Sequence, residues 1–145
     1  TMGEARGKII LLRAVSVDKE KNTDENSGID FTAYPYVGSR NIDDWRRGAL
    51  KKLDGTPYGA MLVQDSYKSE GKHKWQTVTR FIESDLSENE FNICYTSCTC
   101  LFVPRINVRY INPRIASYDF GDKYFGIIAT DFITPEICNA IIKSN

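Results

Sequence analysis

Residues 59–83, GAMLVQDSYKSEGKHKWQTVTRFIE, decide how the chain is read. The apolar run 59–68 is followed by Ser69-Glu70-Gly71-Lys72 and then by 73–83. In that second run Trp75, Thr77, Thr79 and Phe81 alternate with Gln76, Val78, Arg80 and Ile82. Period-two alternation puts the two sets on opposite faces of a strand. Two extended runs around a short turn containing glycine predict a β-hairpin. A hairpin here predicts an antiparallel sheet.

Upstream, residues 8–17 are apolar and rich in branched side chains, a buried strand or a short helix. Residues 18–28 hold no apolar side chain and form a polar loop, the place where disorder is most expected. A helix is predicted from Ser39 or Asn41 to about Leu53. Asp43 and Asp44 lie in its first turn, Lys51 and Lys52 in its last, and Ile42, Trp45, Ala49 and Leu53 on one face. Gly55 and Pro57 then stop it.

Downstream, residues 91–103 predict a strand stopped by Pro104, which 106–111 continue or pair with, and Asn112-Pro113 marks a turn. Residues 123–132 predict an apolar strand. Thr134 caps a last helix with Pro135 at its first position and Glu136 next. The expected fold class is α+β: a single antiparallel sheet of five or six strands flanked by helices.

The chain has 145 residues, the size of one domain. Hydrophobic residues are 41% and charged residues 26%, enough to build a core and too apolar for disorder as the main state. Lys+Arg and Asp+Glu are 19 each, so no general basic field attracts nucleic acid. No apolar run approaches the ~18 to 20 residues of a membrane span, so no direct membrane insertion is expected. Residues 8–17, broken by Arg13, are too short for a secretory signal core.

Cys94, Cys98 and Cys100 share parity if they lie on one strand, with Cys138 distant. Cys94 and Cys98 would then stand ~13 Å apart, too far for a disulfide. A reduced apolar face, a bridge from Cys138 to one of the three, and a metal site remain open. His73 is the only histidine, so nucleophilic triads are poorly supplied. Asp54 or Asp65 followed by Glu70-Gly71-Lys72 fits a loose metal-dependent nuclease or hydrolase pattern. No phosphate loop or nucleophile elbow is present, and no cofactor is called for.

Tyr34, Tyr36, Arg40 and Trp45 concentrate aromatic rings and a fixed cation. Such a group can wall a pocket and grip a carboxylate, or Trp45 can be core with the tyrosines covering the sheet. Asp131 ends an apolar strand, where it caps the last helix or meets a polar ligand.

Residues 115–142, with the strand Phe125-Gly-Ile-Ile-Ala-Thr-Asp131, resemble the closing part of Cache sensor domains. Residues 40–50, from Arg40 through Trp45, are similar to that family's Arg-x-Trp-Tyr helix, and Thr56-Pro57-Tyr58 to its next stretch. Extra residues separate Arg40 from Trp45, and Arg46 stands where the family has tyrosine. GAF domains share the broader PAS-like architecture and the final strand.

The resemblance implies a PAS/profilin-like fold and a non-enzymatic sensor for an amino or carboxylic acid, with a homodimer or an attached signalling domain as partner. Arg40 and Trp45 would hold the ligand's carboxylate, Asp131 its amine, and Tyr34 and Tyr58 would be walls. A Cache domain is extracytoplasmic; a GAF-like regulatory module is cytoplasmic. A protein-interaction module is a further reading, since Tyr, Trp and Arg also mark contact surfaces.

Overall fold

In the computed structural model, which describes residues 6–18, 20–23, 28–35, 45–67, 70–99 and 104–143, the apolar run after Pro57 becomes the central strand. Met61, Leu62, Val63 and Gln64 are all buried in sequence, so the strand is covered on both faces. Continuous burial of this kind belongs to parallel sheets, not to a half-solvated hairpin.

The sheet comprises β1 (Leu12–Arg13), β2 (Ile29–Asp30), β3 (Arg46–Lys51), β4 (Pro57–Gln64), β5 (Glu90–Tyr95) and β6 (Ile127–Ala129), in that spatial order. The helices are α1 (Gly71–Glu83), α2 (Pro104–Ser117) and α3 (Pro135–Ile142). β1 and β2 are parallel, β3 is antiparallel to both its neighbours, and β4, β5 and β6 are parallel. All strands except β3 therefore point the same way. Their carboxyl ends share one rim. The fold is α+β as expected, but the sheet is mixed and not the antiparallel sheet that the hairpin implied.

Two cores lie against the sheet. On one face Leu62 and Cys94 meet Val78, Phe81 and Ile82 of α1, Ile111 and Ile115 of α2, and Ile137 of α3. On the other, Met61, Val63 and Ile93 meet Leu50 and Phe31. Parity explains the split, since alternate strand residues face opposite ways.

The predicted second arm of the hairpin is helix α1. Its buried positions are Gly71, Lys74, Thr77, Val78, Phe81 and Ile82, a stripe at helical spacing. Two of those positions are polar letters, and the β-branched cluster Thr77-Val78-Thr79 imitates a strand. Residues 104–117, expected as extended chain and turn, are helix α2, with Asn107, Ile111 and Ile115 buried four residues apart. Pro104 opens that helix instead of ending a strand, as proline at a first helical position can.

The predicted helix near Trp45 is corrected too: residues 46–51 are strand β3, paired on both sides. A Cβ on Gly48 would lie 2.7 Å from the Ala33 carbonyl oxygen and 2.8 Å from Pro35 Cδ. Close packing across the sheet and pairing on two edges override a local helical pattern. Residues 39–44 of that expectation lie outside the described residues.

The last helix forms as read. Thr134 accepts from Ile137 N, Pro135 opens the helix and Glu136 stands in its first turn. Thr134→Ala should cost about 1 kcal/mol in urea unfolding, the usual loss of an N-cap. A Thr134→Ser variant should keep most of it.

Cys94 and Cys98 are free and buried on the helix side of the sheet, and Cys138 is free and half-buried. Cys100 lies outside the described residues. Among the described residues no helix is long and apolar enough to cross a membrane.

Candidate functional site

The shared rim collects what the sequence scattered. In sheets of parallel strands, ligands bind outside the carboxyl ends, where loops from several strands converge. Here β1 ends on Arg13, β2 on Asp30, β4 runs into Asp65, β5 ends on Tyr95 and β6 leads to Asp131.

Asp30 starts the local chemistry. Its Oδ1 accepts from Thr32 N at 2.8 Å and from the Thr32 hydroxyl at 2.6 Å, while Oδ2 lies 3.2 Å from Arg13 Nη2. These Thr32 bonds, more than the Arg13 charge, hold the Asp30 carboxyl below its ordinary range. The turn they make is an Asx turn, which folds the chain back over the sheet.

Tyr34 arrives by that turn. Its ring packs on Phe31, centroids 5.3 Å apart, and edge-on against Tyr95 at 6.4 Å. Its hydroxyl donates to Asp65 Oδ2 at 3.2 Å. Burial, then the Tyr95 hydroxyl and the Asp65 charge, push the Tyr34 phenol well above its usual range. It stays a neutral donor.

Asp65 is half-buried, and burial raises its carboxyl above the ordinary value. The Tyr34 hydrogen bond and the positive charge of Lys74 oppose that rise. A carboxylate accepts only, through two oxygens. One oxygen is engaged by Tyr34, leaving acceptor capacity for a ligand.

Lys74, on the first turn of α1, is fully buried. Its Nζ donates to the Ser66 carbonyl at 3.1 Å. Gln64, also fully buried, turns its amide oxygen to Lys74 Nζ at 3.1 Å and Ser66 N at 2.9 Å, and its amide nitrogen to the Tyr95 carbonyl at 2.8 Å. The residues on either side of Asp65 are thus tied to one ammonium, and β4 is tied to β5. Desolvation pulls the Lys74 ammonium down to about 8, against the nearby Cys94, Asp65 and Cys98.

Of the residues singled out in the sequence, Tyr34, Asp65 and Asp131 follow strands that end at this rim. Asp131 is half-buried, and its carbonyl accepts from Asn112 Nδ2 at 3.0 Å. Trp45 does not line the rim; it packs edge-on against Phe81 at 5.6 Å, part of the helix-side core. Tyr58 is exposed near the amino end of β4, the strand's length away from Asp65. Tyr36 and Arg40 lie outside the described residues.

The nuclease set is not gathered either. Asp54 Oδ1 binds Thr56 N at 2.8 Å in the turn before β4, at the opposite end from Asp65. Glu70 precedes α1 and faces His73 at 3.5 Å on the exposed side.

Arg13, Gln64, Lys74 and Tyr95 were not legible as site residues. The one signal was the polar pair Gln64-Asp65 closing an apolar strand. It gains meaning only once β4 is known to run parallel to β5.

No protein-family model matches the chain, and a search of curated proteins found no match.

Proposed function

We propose that the chain is a small-molecule binding module whose site is the rim at the carboxyl ends of β2, β4 and β5. The observation that carries this reading is the half-buried Asp65 carboxylate, hydrogen-bonded by Tyr34 and held by a buried lysine. Keeping a carboxylate away from water costs free energy, so one kept half-buried and, among the described residues, outside any ion pair points to a ligand.

The ligand offers hydrogen-bond donors. Asp65 is an acceptor, and the ring of Tyr95 stands edge-on to Tyr34 beside it. An ammonium or hydroxyl group suits that lining. This supports the amino half of the amino-or-carboxylic-acid expectation. The carboxylate half rested on Arg40 and Trp45, and Trp45 is core. The reading rests on the rim, not on the Cache resemblance, whose antiparallel sheet this chain lacks.

Calorimetric titration with L-serine, ethanolamine, glycerol and acetate tests it. The first three should bind and acetate should not. Asp65→Asn removes a charge-assisted bond of about 1.5 to 3 kcal/mol and should weaken binding roughly 10- to 100-fold. Binding of acetate alone, or affinity indifferent to Asp65→Asn, would sink the proposal.

One observation favours a second, catalytic reading: burial raises the proton affinity of Asp65, as a general base requires. Asp65 would then take the proton of a ligand hydroxyl. Mass spectrometry of a bound ligand after incubation separates the two. Chemical conversion means catalysis; recovery unchanged means binding alone.

A further inference from the structure

Lys74 reaches both residues flanking Asp65, Gln64 through its amide and Ser66 through its carbonyl. Its ammonium contributes no contact to a ligand, because it is fully buried. What it does is local. It fixes the backbone turn that aims the Asp65 carboxylate at Tyr34, and through Gln64 it fixes the Tyr95 carbonyl beside it.

We propose that Lys74 is the positioning residue of the Asp65 site, and that loss of its proton loosens the 64–66 turn and lowers the site's affinity for a donor ligand. The inference deepens the binding role given above and, in that last clause, rests on it. Charge-assisted hydrogen bonds are about twice as strong as neutral ones, so a neutral amine grips Gln64 and Ser66 less firmly. It also offers one donor fewer.

The groups that face Lys74 are Asp65 from the loop after β4, Cys94 from β5 and Cys98 beyond it. Burial holds the Cys94 thiol up at about 12, so it stays neutral through the range in question. His73, next in the chain, turns to Glu70 on the exposed side. Lys74, whose ammonium burial pulls down to about 8, changes charge on the mildly alkaline side of neutrality.

The test needs no ligand. Carbon-13 NMR follows the Asp65 carboxyl and the Tyr34 ring carbon bearing the hydroxyl, while nitrogen-15 NMR follows the Lys74 amine. In the wild-type protein all three signals should move together, with a midpoint near 8. In Lys74→Arg, whose guanidinium keeps its proton, the Asp65 and Tyr34 signals should be flat between pH 7 and 9. In Lys74→Met they should be flat as well, and displaced from their wild-type positions.

A lysine acting on Asp65 through its charge alone would move the Asp65 carboxyl near 8 and leave the Tyr34 ring carbon flat, and that result overturns the proposal. Flat wild-type signals, or a step that survives in Lys74→Arg, overturn the proposal. If neither variant folds, the wild-type midpoints decide: coincidence of the Lys74 and Tyr34 midpoints supports it, and divergence overturns it. If the titration panel fails while the coupled step is present, the ligand reading is wrong and the positioning role stands.

Discussion

Gly126→Ala should destabilise the protein by about 3 kcal/mol or more, whereas Gly121→Ala should cost about 1. Both glycines have positive φ, 74° and 60°, and each substitution carries the left-handed penalty of roughly 1 to 2 kcal/mol. Their surroundings differ. A Cβ on Gly121 meets nothing within 4 Å, but one on Gly126 would lie 2.5 Å from the Asn92 carbonyl oxygen and 2.7 Å from its Cβ.

Asn92 cannot yield easily. Its side chain is buried, and Nδ2 donates to the Ser87 carbonyl at 2.8 Å and the Glu90 carbonyl at 3.2 Å. Relief would come from parting β5 and β6, and overpacking of that kind costs a further 1 to 3 kcal/mol. Urea midpoints of the two variants against wild type measure the difference. Equal losses would mean that the β5–β6 approach is looser than these distances.

That contact illustrates which parts of the fold a sequence discloses. Helix α3 was legible because its signals sit within four residues of one another: Thr134, Pro135 and Glu136 act through their own turn. Helix α1 was not, because its buried stripe includes Lys74 and Thr77. Lys74 counts as core only when Gln64 and Ser66, ten and eight residues back, supply its partners. Strand β3 was lost for the opposite reason. Its helical spacing was real, but pairing with β2 and β4 outweighed it.

The site shows the same limit. Tyr34 stands out for its aromatic neighbourhood, and it does reach the rim, yet its hydroxyl's partner is Asp65, 31 residues on. Asp65 itself was noticed only for a nuclease pattern. Strand direction is what turns an acid after an apolar strand into a rim residue, and direction depends on whether 71–83 is a strand or a crossover helix. One misread element therefore reversed β5 relative to β4 and scattered the site.

Raising the pH from 8 should stabilise the protein, and Lys74 supplies the reason. Its ammonium titrates at about 8 when folded and at 10.5 in the reference state. Between those values the unfolded chain binds more protons, so stability climbs by about 1.4 kcal/mol per pH unit. The contribution is complete above 10.5 and lost as pH falls through 8. Cys94 acts in the other direction. Burial raises its thiol from 9.0 to about 12, so its contribution is complete below 9.0 and drains away as pH rises towards 12. The raised Tyr34 phenol adds to that loss above 10.0.

Wild-type stability, measured by urea unfolding in reductant, should thus rise from pH 8 to 9, level off to 10.0 while the two slopes cancel, and fall beyond it, where the raised Tyr118 phenol joins Tyr34. Cys94→Ala should remove the plateau and let the climb continue to pH 10.0, gaining about 2 to 3 kcal/mol before Tyr34 and Tyr118 reverse it. Lys74→Met should remove the climb: flat from pH 8 to 9, then falling. The slopes carry the information, since the Met variant also leaves the Ser66 carbonyl without its lysine donor and starts from a lower level. A climb that persists in Lys74→Met would place the alkaline-titrating group elsewhere, and with it the control of the turn that carries Asp65.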